Sequence, residues 1–141
     1  MKTKSHAVVC LALLFTAGCG GNPNLGQVTG TVTLDGKALP EASILFTPDS
    51  GGATSYGKTD SSGRYRMMFS DTEAGAWVGK NRVIIRTGDV LPDNSGRIPE
   101  LVPSVYNSKS TLTEDVKAGA NTIDFKLDSK ASKIDKIQIS S

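Results

Sequence analysis

The feature that most constrains this chain is a two-residue alternation that recurs through its whole body. Val28, Gly30, Val32 and Leu34 alternate with Thr29, Thr31 and Thr33. Successive side chains of a strand point to opposite faces, so this run predicts a half-buried strand with a threonine-lined outer face. Asp35-Gly36 breaks the pattern as a tight turn, since glycine takes positive φ at little cost. Ala42, Ile44 and Phe46 resume it until Pro48. Further strands are expected over 55–59 and 64–69, where Tyr65, Met67 and Phe69 share a face, joined by the turn Asp60-Ser61-Ser62-Gly63. Residues 80–87 place Val83 and Ile85 opposite Ile84, the pattern of a central strand covered on both faces, or of one packed on a loop. Pro92, Pro99 and Pro103 mark residues 88–103 as an irregular excursion. The last strands are expected over 112–116 and 122–127, with 117–121 as their linker, and Ile123, Phe125 and Leu127 as the final core face.

No segment beyond the apolar opening sustains helical spacing. Short strands separated by Gly- and Asp-rich turns predict an all-β fold, an antiparallel β-sandwich of about seven strands. The body spans residues 27–128, one domain with a thin core. Residues 129–141 carry Ile134, Ile137 and Ile139, which allow an edge strand, but their lysine and serine density favours a loosely held tail.

The opening segment carries an address. Lys2 and Lys4 precede an apolar run from Ala7 to Phe15, which Thr16-Ala17-Gly18-Cys19 closes with small residues. The run is too short to span a bilayer, which needs roughly 20 apolar residues. Its charged start and small-residue end are those of an export signal, residues 1–18. The closing residues resemble the lipobox of bacterial lipoproteins, with Thr16 standing where a Leu-like residue is usual. That resemblance implies cleavage between Gly18 and Cys19, lipid attachment at Cys19, and, with Gly20 rather than Asp next, the outer membrane. Residues 19–26 then read as lipidated cysteine and tether. The eight residues GGNPNLGQ reach at most roughly 26–29 Å.

Loss of the signal removes much of the chemistry the chain has. Cys10 and His6 lie within it, and Cys19 is acylated, so neither a disulfide nor a Cys- or His-liganded metal site is expected. Removing Lys2 and Lys4 takes sixteen basic residues to fourteen, matching the fourteen acidic ones. A neutral surface lacks the concentrated positive charge that nucleic acid requires.

Two motifs resemble carboxypeptidase-regulatory-like domains. One runs from Val28 to Pro48: a Gly-x-Val strand, an Asp-Gly turn, Pro40, then an alternating apolar strand. The other is Thr59-Asp60-Ser61-Ser62-Gly63-Arg64-Tyr65. The later series of Tyr106, Leu112, Gly119, Asn121, Phe125 and Leu127 is similar to the end of small lipoproteins built on this domain. The resemblance covers nearly all of residues 27–128. It implies a prealbumin-like or Ig-like sandwich without an active site. Asp35, Gly36, Asp60, Gly63 and Tyr65 are then structural: Asp60 accepts turn amides, Gly63 relieves the backbone, and Tyr65 buries its ring while its hydroxyl reaches a backbone partner. Hydroxyisourate hydrolases of transthyretin-like fold use histidines and end in Tyr-Arg-Gly-Ser; this chain ends Ile-Gln-Ile-Ser-Ser.

No triad, metal cluster or cofactor motif is legible, and no enzymatic activity or cofactor is expected. Asp49, Asp60, Asp71 and Glu73 sit near strand ends without calcium-loop spacing and read as solvated turn carboxylates. Trp77 reads as a core anchor in preference to a ligand-stacking aromatic. The expected function is therefore a non-catalytic, lipid-anchored cell-envelope protein, periplasmic or on the surface, with a structural or protein-binding role. The alternative is a carbohydrate-binding module beside separate envelope enzymes, using Trp77, Tyr56 and Tyr106. The expected partners are the membrane through the N-terminal lipid, and an envelope protein or polysaccharide.

Overall fold

The alternating run of the sequence becomes the longest strand of the molecule. The computed structural model describes residues 21–132, and the signal, Gly18, Cys19 and the last nine positions lie outside the described residues. The first strands are β1 (Leu25–Leu34), β2 (Lys37–Ala38), β3 (Ser43–Pro48), β4 (Ser55–Lys58), β5 (Arg64–Arg66) and β6 (Ala76–Trp77). They are followed by β7 (Gly79–Arg86), β8 (Asp89–Val90), β9 (Arg97–Ile98), a 3-10 turn at Ser104–Tyr106, β10 (Thr113–Val116), β11 (Gly119–Thr122) and β12 (Phe125–Leu127). The fold is all-β, mostly antiparallel, with open sheets.

In the larger sheet β1 is paired on both edges. One edge meets β6, β5 and β2 in turn, all antiparallel, and the other meets β11 and then β12. The second sheet has the order β10-β7-β3-β4 and is antiparallel throughout. β7 is thus central in its sheet, but it is covered on one face only: Lys80, Arg82 and Arg86 are exposed on the other, with Ile84 half-buried among them. β8 and β9 form a separate two-stranded ribbon.

Beyond the β8–β9 ribbon in the expected irregular excursion and the end of β5 at Arg66, three differences from the sequence expectation concern β1 and its partners. β1 starts at Leu25 rather than Val28, so Leu25 and Gly26 belong to the sheet and not to a tether. Residues 119–122 form a strand where a linker was expected. It escaped notice because this edge strand buries no side chain fully and so shows no apolar alternation. Finally, β11 and β12 run parallel to β1. The chain descends along β10 in the opposite sense to β7, crosses between sheets at Lys117-Ala118, and rises beside β1 from Gly26 upward. Asn121 braces that corner: its amide donates to the carbonyls of Lys117 and Gln27, and its Oδ1 accepts the Lys117 amide at 2.9 Å.

The two sheets share one core. Val28 and Val32 of β1 meet Ile44 and Phe46 of β3, Val83 and Ile85 of β7, and Phe125 and Leu127 of β12. Phe46 stands edge-on to Phe125 at 6.3 Å between ring centres, and Tyr65 lies at 6.1 Å from the same ring. Each fully buried apolar side chain contributes about 1.5–3 kcal/mol. Beyond β5 the chain crosses between sheets. The Met67 amide donates to Val28 of β1, while Met68 exchanges two backbone bonds with Tyr56 of β4, at 2.9 and 2.7 Å.

The motif turns take the conformations their residues predict. Asp35 and Gly36 both have positive φ, 51° and 81°, which joins β1 to β2 with the twist a two-residue hairpin needs. Asp60 Oδ1 accepts the amides of Ser62 and Arg64 and the Ser62 hydroxyl, and Gly63, at φ 77°, completes the turn.

Between β11 and β12 the ladder along β1 is interrupted. The Asp124 carboxylate takes the place of a backbone acceptor and receives both the amide and the hydroxyl of Thr31, at 2.8 and 3.0 Å. The Ile123 carbonyl comes so close to Gly30 that a Cβ there would lie 1.8 Å from its oxygen. The Tyr65 hydroxyl donates to that same carbonyl at 2.6 Å. Removing the hydroxyl strands a buried acceptor, which costs about 1–3 kcal/mol. Tyr65→Phe is therefore expected to lower unfolding stability by that amount with the fold retained, as measured by urea denaturation.

Candidate functional site

The candidate site residues occupy two ends of the domain, defined by the strand directions. β1 begins at Leu25, which pairs with Trp77 of β6, and β7 starts just after Trp77. The start of β7 is therefore at the Leu25 end, and the ribbon that follows its far end is at the opposite one.

At the Leu25 end lies a cleft of about 560 Å³, lined by Asn22, Leu25, Gln27, Arg66, Thr72 and Glu73 among others. Gln27 organises its floor. The Gln27 amide donates to the Ala74 carbonyl at 3.1 Å, and its Oε1 accepts from the Arg66 guanidinium at 3.4 Å. Amide, guanidinium, hydroxyl and carboxylate groups equip this cleft for hydrogen bonding to a polar surface.

The far end carries the ribbon of β8 and β9. Val90, Leu91, Ile98 and Leu101 are exposed there, Leu101 to 57%. This segment is held by one carboxylate. Glu100 accepts the amides of Thr87, Gly88 and Val102 and the Thr87 hydroxyl, between 2.9 and 3.2 Å. Desolvation alone would raise its pKa, but these donors outweigh that and hold the carboxyl below its ordinary value. The Thr87 hydroxyl's single hydrogen is shared between Glu100 and the Pro99 carbonyl, and its oxygen accepts the Leu101 amide.

The three aromatics considered for ligand contact have separate partners. The Tyr56 hydroxyl donates to Asp71 at 2.8 Å, and that bond raises the phenol's pKa. Trp77 is half-buried and lies outside the core cluster, so it is not the core anchor expected from the sequence; its ring packs edge-on against Phe69 at 5.5 Å. Tyr106 packs on the core from the 3-10 turn, and its hydroxyl accepts the Asp128 amide at 3.3 Å. The acidic residues are likewise dispersed. Asp49 pairs with Lys80, Asp60 serves its own turn, Asp71 holds Tyr56, and Glu73 lines the cleft. Among the described residues no group of three or more His, Cys, Asp or Glu is placed to hold a metal ion. Asp35 accepts from Ser129, whose side chain and amide lower its pKa, so residue 129 is tied back to the first hairpin.

Sequence reasoning passed over Glu100, Asp124, Asn81 and Glu114. Asn81 and Glu114 carried a readable signal: each is a polar residue in phase with an apolar face, 81 with 83 and 85, 114 with 112 and 116. Asp124 and Glu100 had none, since Asp124 bonds Thr31 across 93 positions and Glu100 bonds Thr87 and Gly88 from another segment.

The Glu100 cluster makes an acid-labile element. A folded pKa held below the unfolded one contributes stability above the unfolded value, and loses it as pH falls through the folded one. Acidification below the ordinary carboxyl value of 4.5 is expected to lower the protection factors of the Thr87, Gly88 and Val102 amides, their exchange rates being referred to the intrinsic rate at each pH. Glu100→Ala is expected to do so already at neutral pH, with the β1 amides unaffected.

Compared with known families and curated proteins, the chain matches no protein-family model and no curated protein.

Proposed function

We propose that this protein is a lipid-anchored cell-envelope module of the carboxypeptidase-regulatory-like, prealbumin-like sandwich type, which binds a partner protein and catalyses nothing. The observation that carries this reading is the opposition of the two ends. Leu25, the first residue of the sheet, stands six positions after Cys19. Six residues reach at most about 20–22 Å. An acylated Cys19 would therefore hold the Leu25 end and its polar cleft near the headgroups. The apolar ribbon at the far end would face away from the membrane, where exposed apolar patches serve protein contacts. The motif turns at Asp35-Gly36 and Asp60-Gly63 and the buried Tyr65 support the family reading, because each does the structural work the resemblance implies.

The carbohydrate alternative draws on Tyr56, Trp77 and Tyr106, which are engaged with Asp71, Phe69 and Asp128 respectively. Their separate engagement favours the protein-binding reading.

Cys19→Ser in the exporting cell is expected to block lipoprotein processing and move the protein from the membrane to the soluble fraction. Retention of a processed, membrane-bound Cys19→Ser form overturns the anchor. A photo-crosslinker at Leu101 is expected to capture a discrete envelope protein that one at Lys126 does not, and Leu91→Asp is expected to abolish the adduct.

A further inference from the structure

Two buried acceptor atoms without partners belong to residues directly opposed across the pairing of β7 with β10. Glu114 and Asn81 are directly opposed in the register. Residues so opposed share one face of the sheet, with Cβ atoms about 4.5–5.5 Å apart. That face is the inner one, because Asn81 is fully buried and Val116, two residues beyond Glu114, is buried as well. The Asn81 amide nitrogen donates to the carbonyls of Trp77 and Gly79, both at 2.8 Å. Two acceptors on that side fix which way the amide points, leaving Oδ1 on the other. Asn81 Oδ1 is buried with no hydrogen-bond partner, and so is Glu114 Oε1.

A carboxylate and an amide oxygen have no hydrogen to share, and two unpaired buried acceptors on adjacent residues are unfavourable. One proton resolves both. We propose that Glu114 is held as the neutral acid in the folded protein and donates its proton to Asn81 Oδ1, making the β7–β10 pairing a proton-dependent clasp.

The surroundings favour the neutral form. On β10 the neighbouring Asp115 is exposed, on the face opposite to Glu114. On β7 Lys80 and Arg82 are exposed and point away from Asn81, so neither cation faces the carboxyl. From the larger sheet, Tyr65 and the Asp124 segment lie across the interior. The Tyr65 hydroxyl is committed to Ile123 and Asp124 to Thr31. Burial raises the Tyr65 phenol above its ordinary range, and at the alkaline pH where it would titrate the ionised Glu114 and Asp124 add to that rise. Desolvation raises the Glu114 carboxyl to about 7.

The consequence is opposite in sign to that of Glu100. A folded pKa raised above the unfolded value means that the folded state binds the extra proton, so stability is highest in mild acid and falls as pH rises toward the folded pKa. β10 is the edge strand of its sheet and pairs with β7 alone, so it is the element the clasp secures. An envelope protein outside the cytoplasm meets the external pH directly, where such a clasp responds.

Two measurements on the full chain test this. The first is a carbon-13 titration of the Glu114 carboxyl, assigned through bonds in the wild type. An apparent pKa near neutrality is expected, and titration in the ordinary carboxylate range overturns the proposal. The second is urea unfolding of wild type and Glu114→Gln between pH 5 and 8. Glutamine keeps a donor for Asn81 at every pH. The wild-type unfolding constant is expected to rise about tenfold over this range, one pKa unit's worth after allowing for solvent screening of a half-exposed group, and that of the variant to stay level. Equal slopes in both proteins overturn the clasp. So does stabilisation of the wild type alone by sodium or calcium ions at pH 5, since a cation would then occupy the place assigned to the proton.

Discussion

Everything in the larger sheet answers to β1. It is bonded on both edges, so the positions of β2, β5, β6, β11 and β12 are all set by one register. The narrowest point of that arrangement is Gly30. Only a residue without Cβ lets the Ile123 carbonyl come close enough to meet the Tyr65 hydroxyl from the other side of β1. One glycine therefore permits the parallel return of the chain and gives the buried tyrosine its partner. The same tyrosine ring packs beside Phe125, which carries the contact to Phe46 of the second sheet. A change in this small region would reach both sheets through groups already in contact.

The buried polar groups divide by how they are satisfied. The Thr59 hydroxyl donates to Leu39 and accepts from Ala42, and the Asp124 carboxylate replaces a missing rung of the ladder. These tie distant segments with full hydrogen-bond complements, and so act as cross-braces in a domain whose core is thin. Among the described residues four side-chain atoms are buried without a partner, Ser55 Oγ, Trp77 Nε1, Asn81 Oδ1 and Glu114 Oε1, and of these the last two belong to residues opposed in one strand pair. Two carboxyls thus have opposite settings. Glu100 is surrounded by amides that favour its charge, and Glu114 is desolvated by burial, which disfavours it.

The functional reading depends on polarity along the long axis rather than on a pocket of catalytic groups. The chain enters at the cleft of Gln27 and Arg66, and the apolar ribbon stands at the other end. Under the proposed anchoring at Cys19, a domain with one end near its attachment and an exposed apolar end opposite is suited to presenting that end. The ribbon's exposure is maintained by Glu100, whose bonds to Thr87, Gly88 and Val102 shape the segment from inside while leaving its leucines outward.

Much of this architecture was legible in the order of residues. Alternation located the main strands, because a pleated strand buried on one face writes its burial directly into the sequence. Turn chemistry located the Asp35-Gly36 and Asp60-Gly63 reversals, because positive φ and local side-chain acceptors are requirements a few residues long. What tertiary structure alone decided involved partners far apart in the chain. Strand β11 was silent because an exposed edge strand needs no apolar phase. Its parallel direction followed from a crossing between sheets, which no local pattern encodes. The pairing of Asn81 with Glu114 had half a signal, a polar residue in phase with the apolar face of each strand, but only the register set one against the other. The sequence by itself determined which faces must be hidden and where the chain must turn, since these depend on neighbours within a few residues. The fold decided which hidden groups meet, since that depends on contacts between segments that the chain separates by dozens of positions.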